Sequence, residues 1–362
     1  MGTTRPFAIL LAIALAVIGT SGPGYPVHEE RRPDQIKTTA SGLKYLADLD
    51  TGHLSICASC PYQVNHSPVF ESVEDAARRL ADDDIVVGVR LRGITRAYPT
   101  SLLARPSSHI INDAVNGFPF MVTWCPLCHS AVVFERPRID RDVLEFATAG
   151  LYKRDLVMYD AQTLSLWQQI TGVSVAGPLV GKTDRLHVLP ADLVPWRMWK
   201  HAYPASQVLV DWNRSGDPSR LAVYREIARG SGRAIQQTDR RLAAKAIVLG
   251  IVVDRTSKAY ARETLNRTRL INDVVGSVAI LALLHPSSGE VKFFRRSVGN
   301  TQGLVFEMRD GKVIDRQTAT VWNLDGVAES GPLKGRRLES IVSIPAFWFA
   351  WVTFYPKSEL FK

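Results

Sequence analysis

The chain has 362 residues, of which 46% are hydrophobic and 22% charged. That composition excludes a disordered, collagenous or multispan membrane protein, and the length suits two modest domains. Lys and Arg outnumber Asp and Glu by 44 to 35, a mild excess that reads as a solvated basic surface, so no nucleic-acid partner is expected.

Residues 1–24 have the three-part layout of a signal peptide: Arg5, an apolar run from Phe7 to Ile18, then the small residues Gly19, Ser21 and Gly22. The run is shorter than the roughly 20 apolar residues of a membrane span. Export to a periplasmic or extracellular compartment is expected. Membrane association follows only if this segment stays uncleaved as an anchor. Residues 25–83 read as an irregular segment ending in a short helix, with Ser72 as its cap, Asp75 in the capping-box position and Val73, Ala76, Ala77 and Leu80 on one face. This segment contains Cys57 and Cys60, which in an oxidising compartment read as a structural disulfide. Glycosylation sequons occur at Asn65, Asn213 and Asn266.

Beyond residue 83 the chain repeats itself. VVGVRLRGITRAY (86–98) matches VLGIVVDRTSKAY (248–260), IINDAVNG (110–117) matches LINDVVGS (270–277), and MYDAQTLSLW (158–167) matches VIDRQTATVW (313–322). GVSVAGPLVG (172–181) matches GVAESGPLKG (326–335), and WRMWKHAYP (196–204) matches WFAWVTFYP (348–356). Five matches in one order predict two degenerate tandem copies, at 84–205 and 244–362, joined by a linker at 206–243. Within a copy the apolar runs are short and strand-like, the clearest helix is Trp196 to Tyr203, and strands and helices do not alternate. The expected fold class is α+β, mostly antiparallel strands with few short helices.

The repeat also sorts residues. Asn112, Asp113, Asp160 and Trp167 recur as Asn272, Asp273, Asp315 and Trp322, and Asp155 is matched to Asp310, so all five read as parts of a shared fold. The counterpart of VTWCPLCHSAVVFER (122–136) is roughly ALLHPSSGEVKFFRR (282–296), where both cysteines are lost. Cys125 falls on Leu284 or His285, Cys128 on Ser287 or Ser288, and His109 on Arg269. The chemistry is therefore expected in the first copy.

Four readings compete for the Cys-Pro-Leu-Cys-His cluster at 125–129. A two-residue spacing suits a dithiol/disulfide couple, with His129 or His109 able to tune protonation. C-x-x-C-H is also the attachment pattern of c-type haem. With Cys57 and Cys60 the pair could supply four thiolates to zinc, although 64 residues separate the two motifs, and copper held by thiolate and histidine is a further option. The fourth reading is a structural disulfide. The strand pattern after His129 argues against a thioredoxin fold.

TWCPLCHSAVVF (123–134), GLYKRDLVMYDAQTLSLWQQITG (150–172), AGPLVG (176–181) and FWFAWVTFYP (347–356) resemble the motifs of the bacterial DUF3179 family, over roughly residues 68–360. Some of its members are described as selenoproteins with selenocysteine in the CPLC-type motif. That implies a redox or nucleophilic role at Cys125 or Cys128. Tyr152, Asp155 and Gln169 match the family pattern, which places them near the site, whereas relatives carry Gly or Asn where His129 stands. The reading that results is an exported protein with a thiol redox site. Cys125 is its nucleophile and Cys128 its resolving thiol, and the partner is a redox protein or small-molecule substrate of unspecified identity. The alternative is a non-catalytic binding or structural protein.

Overall fold

The computed structural model describes residues 36–38, 42, 44–46, 49, 53–56, 64–182, 185–210 and 239–361. Cys57, Cys60, Asn213, the expected signal peptide and most of the expected linker lie outside the described residues. The described chain is mostly antiparallel strand with few short helices, arranged in many small sheets. Among the described residues no helix is long and apolar enough to cross a membrane.

Residues 64–210 build three principal sheets. The hairpin of Ile85–Leu91 and Ile94–Pro99 is flanked by Asp192–Pro195 and, in parallel, by Gln207–Leu209, with Phe70–Glu71 at the edge. Val188–Leu189, Ser130–Glu135, Phe118–Cys125 and Ile110–Val115 form the second sheet. The third runs through Val173–Ala176, Leu166–Gln168, Asp155–Asp160 and Phe146–Tyr152. The N-terminal segment, expected to be irregular, adds strands to this sheet: Ile36–Thr38 and Lys44–Leu46 at one edge, Leu54–Ile56 at the other. Gly150 permits the last pairing, since a Cβ there would lie 2.0 Å from the Ser55 carbonyl oxygen. The short helix forms at Val73–Ala77, capped by Ser72 Oγ, which accepts from Asp75 N at 3.1 Å. The stretch expected to be linker opens with the Gln207–Leu209 strand.

Residues 239–361 have three sheets with matching strand orders. Ile344–Phe347, Ile247–Val253, Thr256–Ala261 and Glu359–Phe361 form one, and Ser340–Ile341, Val291–Arg295, Val278–Leu284 and Leu270–Val275 the next. Phe306–Arg309, Lys312–Asp315, Val321–Trp322 and Ala328–Ser330 form the third. Individual contacts recur as well. Asn112 clamps the Phe146 backbone, accepting from its N–H at 2.9 Å and donating to its carbonyl at 2.8 Å; Asn272 does the same to Phe306 at 2.8 and 2.7 Å. Trp167 donates to Asp160 and Trp322 to Asp315, both at 2.9 Å. These bonds give the recurring polar residues a physical task, because each satisfies a buried group that would otherwise lose its water partner. Of the sequons, Asn65 spends its amide on the carbonyls of Ser107 and Ile110, whereas Asn266 is exposed.

The helices Trp196–Ala202 and Trp348–Phe354 each press a tryptophan onto a strand glycine. A Cβ on Gly88 would come within 2.0 Å of the Trp199 ring, and one on Gly250 within 2.3 Å of Trp351. Gly88→Ala and Gly250→Ala should each destabilise by about 1–3 kcal/mol, the usual cost of overpacking. Urea unfolding measures this directly, and an unchanged midpoint for either variant would contradict the close ring-on-backbone packing.

Candidate functional site: a buried dithiol beside a carboxylate

Cys125 ends the Phe118–Cys125 strand and pairs with Ser130, the first residue of the next strand. Four residues make the connection. Cys128 N donates to Cys125 O at 3.2 Å, Leu127 stands exposed at the tip, and His129 turns the chain back with φ at 51°. The other unit has Gly289 at that position, with φ at 70°. Histidine therefore holds a left-handed conformation that glycine adopts without steric penalty. The matching strand register, with His285 N bonded to Glu290 O at 2.8 Å, sets Cys125 opposite His285 and Cys128 opposite Ser288.

The other half of the site is the tip of a long hairpin, Phe146–Tyr152 and Asp155–Asp160. Its two-residue turn, Lys153 and Arg154, has φ of 48° and 70°. Such a turn ordinarily takes Asn-Gly or Asp-Gly, and the equivalent hairpin in the second unit does use Asp310 and Gly311. Two side-chain-bearing residues in this region carry strain of roughly 1–2 kcal/mol each. The turn is held by Lys153 N donating to His53 O at 3.0 Å and by the Cys128 thiol donating to Arg154 O at 3.0 Å.

This hairpin corrects one expectation. Asp155 is not the counterpart of Asp310. The first unit's hairpin is longer, so Asp155 is a buried strand residue opposite Tyr152, while Asp310 is an exposed turn residue. Equal spacing from Asp160 and Asp315 disguised the extra length. Gln169, counted from the paired tryptophans, falls on Leu324 and is likewise peculiar to the first unit.

Both cysteines are free and buried. Their sulfurs and an Asp155 carboxylate oxygen all lie within 4.8 Å of one another. Gln168 Nε2 donates to Asp155 Oδ2. Ser130 Oγ lies 3.2 Å from Asp155 Oδ1 and 2.7 Å from Gln169 Oε1, and its one hydrogen serves one acceptor at a time. Gln169 Nε2 continues the chain to Thr123 Oγ1 at 2.9 Å. Burial pushes the Asp155 carboxyl up to about 6, against the opposing pull of hydrogen bonds from Cys128, the Leu156 backbone, Ser130 and Cys125. Burial also drives the Cys128 thiol well above its ordinary value, reinforced by its neighbours Cys125 and Asp155.

The remaining predicted residues divide. Tyr152 is buried across the hairpin from Asp155, with its ring 6.3 Å from that of Phe354. The His129 ring is packed edge-on to Trp124 at 5.1 Å and stacked on Phe347 at 4.9 Å. His109 is engaged elsewhere: its Nδ1 lies 2.7 Å from Leu103 O, and burial lowers its pKa. Ser130, Gln168 and Thr123 were not singled out from the sequence, although Ser130 lies inside the cysteine motif and Gln168 beside Gln169. The one-residue ambiguity between the copies hid the contrast of Ser130 with Glu290 and of Thr123 with Leu283.

Fold and site together define a mostly antiparallel β protein with few short helices and a buried dithiol–carboxylate cluster. Residues 64–358 match the family model described as "Protein of unknown function (DUF3179)", and the chain belongs to that family. Comparison with curated proteins and with solved structures gave no match.

Because Asp155 binds its proton more tightly folded than unfolded, its contribution to stability is full below pH 3.8 and lost as pH rises through 6. The shift corresponds to about 3 kcal/mol. The stability of the wild type relative to Asp155→Asn should therefore fall by up to that amount between pH 4 and pH 7, then level off. Urea unfolding across this range provides the measurement, and parallel curves for the two proteins would refute the assignment.

Proposed function

We propose that the protein is an exported thiol oxidoreductase whose working couple is the dithiol/disulfide of Cys125 and Cys128, with Asp155 moving the proton of the resolving thiol. The observation that carries this reading is a wholly buried carboxyl, Asp155, within 4.8 Å of both sulfurs. A purely structural dithiol or disulfide has no use for an ionisable group whose burial costs stability. The apolar run from Phe7 to Ile18 supports export, and so an environment where such a couple can cycle.

In the oxidative direction, the Cys125 thiolate attacks one sulfur of a substrate disulfide. The S–S bond breaks, and the departing half leaves as a thiolate that takes up a proton. Asp155 then accepts the Cys128 proton. The Cys128 thiolate attacks Cys125 Sγ, closes the intramolecular disulfide and expels the second half, to which Asp155 returns the proton. One substrate disulfide becomes two thiols, and the protein dithiol becomes a disulfide. Asp155 suits this exchange because its pKa lies close to neutral, and the raised Cys128 pKa explains why a base is needed. The acceptor is a disulfide-bearing redox partner or a small molecule.

A thiolate metal site is the second reading, favoured by the same grouping of Cys125, Cys128 and Asp155 as three ligand atoms. Two thiolates suit copper(I) or zinc, and zinc would need a fourth ligand. A c-type haem fits these residues poorly. The imidazole of His129 is covered by Trp124 and Phe347, and the Cys128 thiol is directed at Arg154 O.

The test uses the full chain with Cys57 and Cys60 replaced by Ser, treated with the disulfide of 5-thio-2-nitrobenzoate. The parent should release two thionitrobenzoate equivalents, Cys128→Ser should retain one as a mixed disulfide on Cys125, and Asp155→Asn should slow the second release by about 100-fold. Equal rates for Asp155→Asn and its parent, or stoichiometric zinc or copper that shields both thiols, would overturn the reading.

A further inference from the structure

A second feature of the molecule borders the cysteine motif, with His129 among its lining residues, but takes in neither sulfur nor Asp155. Between the two units is a cavity of about 380 Å³. Its walls are largely aliphatic, with Leu193 and Met198 of the first unit facing Leu249 and Pro345 of the second. Into this apolar space the chain places cations. Arg262, at the start of the helix Arg262–Thr268, is half-buried and donates from Nη2 to Gly289 O. Among the described residues no carboxylate lies within 4.0 Å of its guanidinium, and Asp192 acts on it only from beyond that distance. Arg197, exposed, also lines the cavity.

The other large cleft between the units behaves differently. There Arg90 meets Glu290 at 3.4 Å and Asp325 at 3.7 Å, and Lys292 meets the same two acids. Arg90 and Lys292 are matched there, whereas Arg262 is not. Nor does the fold demand a guanidinium at that position. The equivalent residue after the first unit's hairpin is Thr100, which simply donates to Ile85 O at 3.0 Å. A cation in the first turn of a helix also opposes the helix dipole, so local stability does not account for it. An unpaired, partly desolvated cation is costly until an anion joins it.

We propose that this cavity binds an amphipathic organic anion, its apolar body between the leucine and proline walls and its carboxylate on Arg262. The volume suits a small molecule. The inference does not depend on the redox reading, since no sulfur chemistry enters it.

The test is calorimetric titration of the full chain with decanoate below its micellar concentration, with 1-decanol as the neutral match. Saturable one-to-one binding of decanoate is expected, weakened at least tenfold in Arg262→Gln and largely restored in Arg262→Lys, with no saturable binding of decanol. Met198→Trp, which fills the cavity and leaves the cation in place, should also abolish binding and keeps the proposal testable if Arg262→Gln fails to fold. Equal binding of decanol, undiminished binding by folded Arg262→Gln or Met198→Trp, or no saturable binding of decanoate would overturn it.

Discussion

A carboxylate enclosed by protein must be neutralised, paired or compensated by hydrogen bonds, and Asp155 is wholly enclosed with two thiols as neighbours. Much of the first unit's local architecture follows from that burial. Ser130 and Gln168 face the two carboxylate oxygens, Gln169 orders Ser130, and Thr123 orders Gln169. Thr123 passes its own hydrogen to Val132 O at 2.7 Å, so the chain of donors ends in the sheet backbone. The two thiols and the carboxyl are thus fixed relative to one another, which on the proposed redox reading sets both partners of a proton transfer in place before a substrate arrives.

The second unit shows what this framework replaces. Where the first unit has a long hairpin closed by Lys153 and Arg154, the second has a shorter one closed by Asp310 and Gly311. Where the first has Cys125, Cys128 and Ser130, the second has His285, Ser288 and Glu290. Glu290 is occupied by an interface network, accepting from Tyr203 OH at 2.7 Å and pairing with Arg90 and Lys292. The second unit is also a wall of the site. Phe347 N donates to Cys128 O at 2.8 Å, and Phe347 and Phe349 belong to the same buried cluster as both cysteines. The strained turns at His129 and at Lys153 and Arg154 sit where the units and the hairpin converge, which is where packing can hold such conformations in place.

The strand-rich α+β class was legible from short apolar runs separated by turn residues, and the helices at Ser72 and Trp196 from capping and spacing. The site's two cysteines were legible because no repeat position matched them. Asp155 was legible only through the family pattern, since the repeat comparison pointed the other way. The extra residues lie between the two matched motifs, and counting back from Asp160 and Asp315 pairs Asp155 with Asp310 without showing where in the hairpin those residues are placed. Ser130 and Gln168 escaped for another reason: their significance lies in which acceptor they face across the sheet, which composition and periodicity do not encode. The mutual approach of the units at Phe347 and Arg262 is likewise a property of packing.

The claim on which the rest turns is that Cys125 and Cys128 exchange electrons as a couple. Equilibration of the purified chain, with Cys57 and Cys60 replaced by Ser, against graded dithiothreitol buffers measures it directly. A reversible two-electron transition between about −180 and −270 mV, the range of working thiol–disulfide proteins, is the expected result. A disulfide that resists reduction below about −300 mV, as structural bridges do, or thiols that never pair, would contradict it.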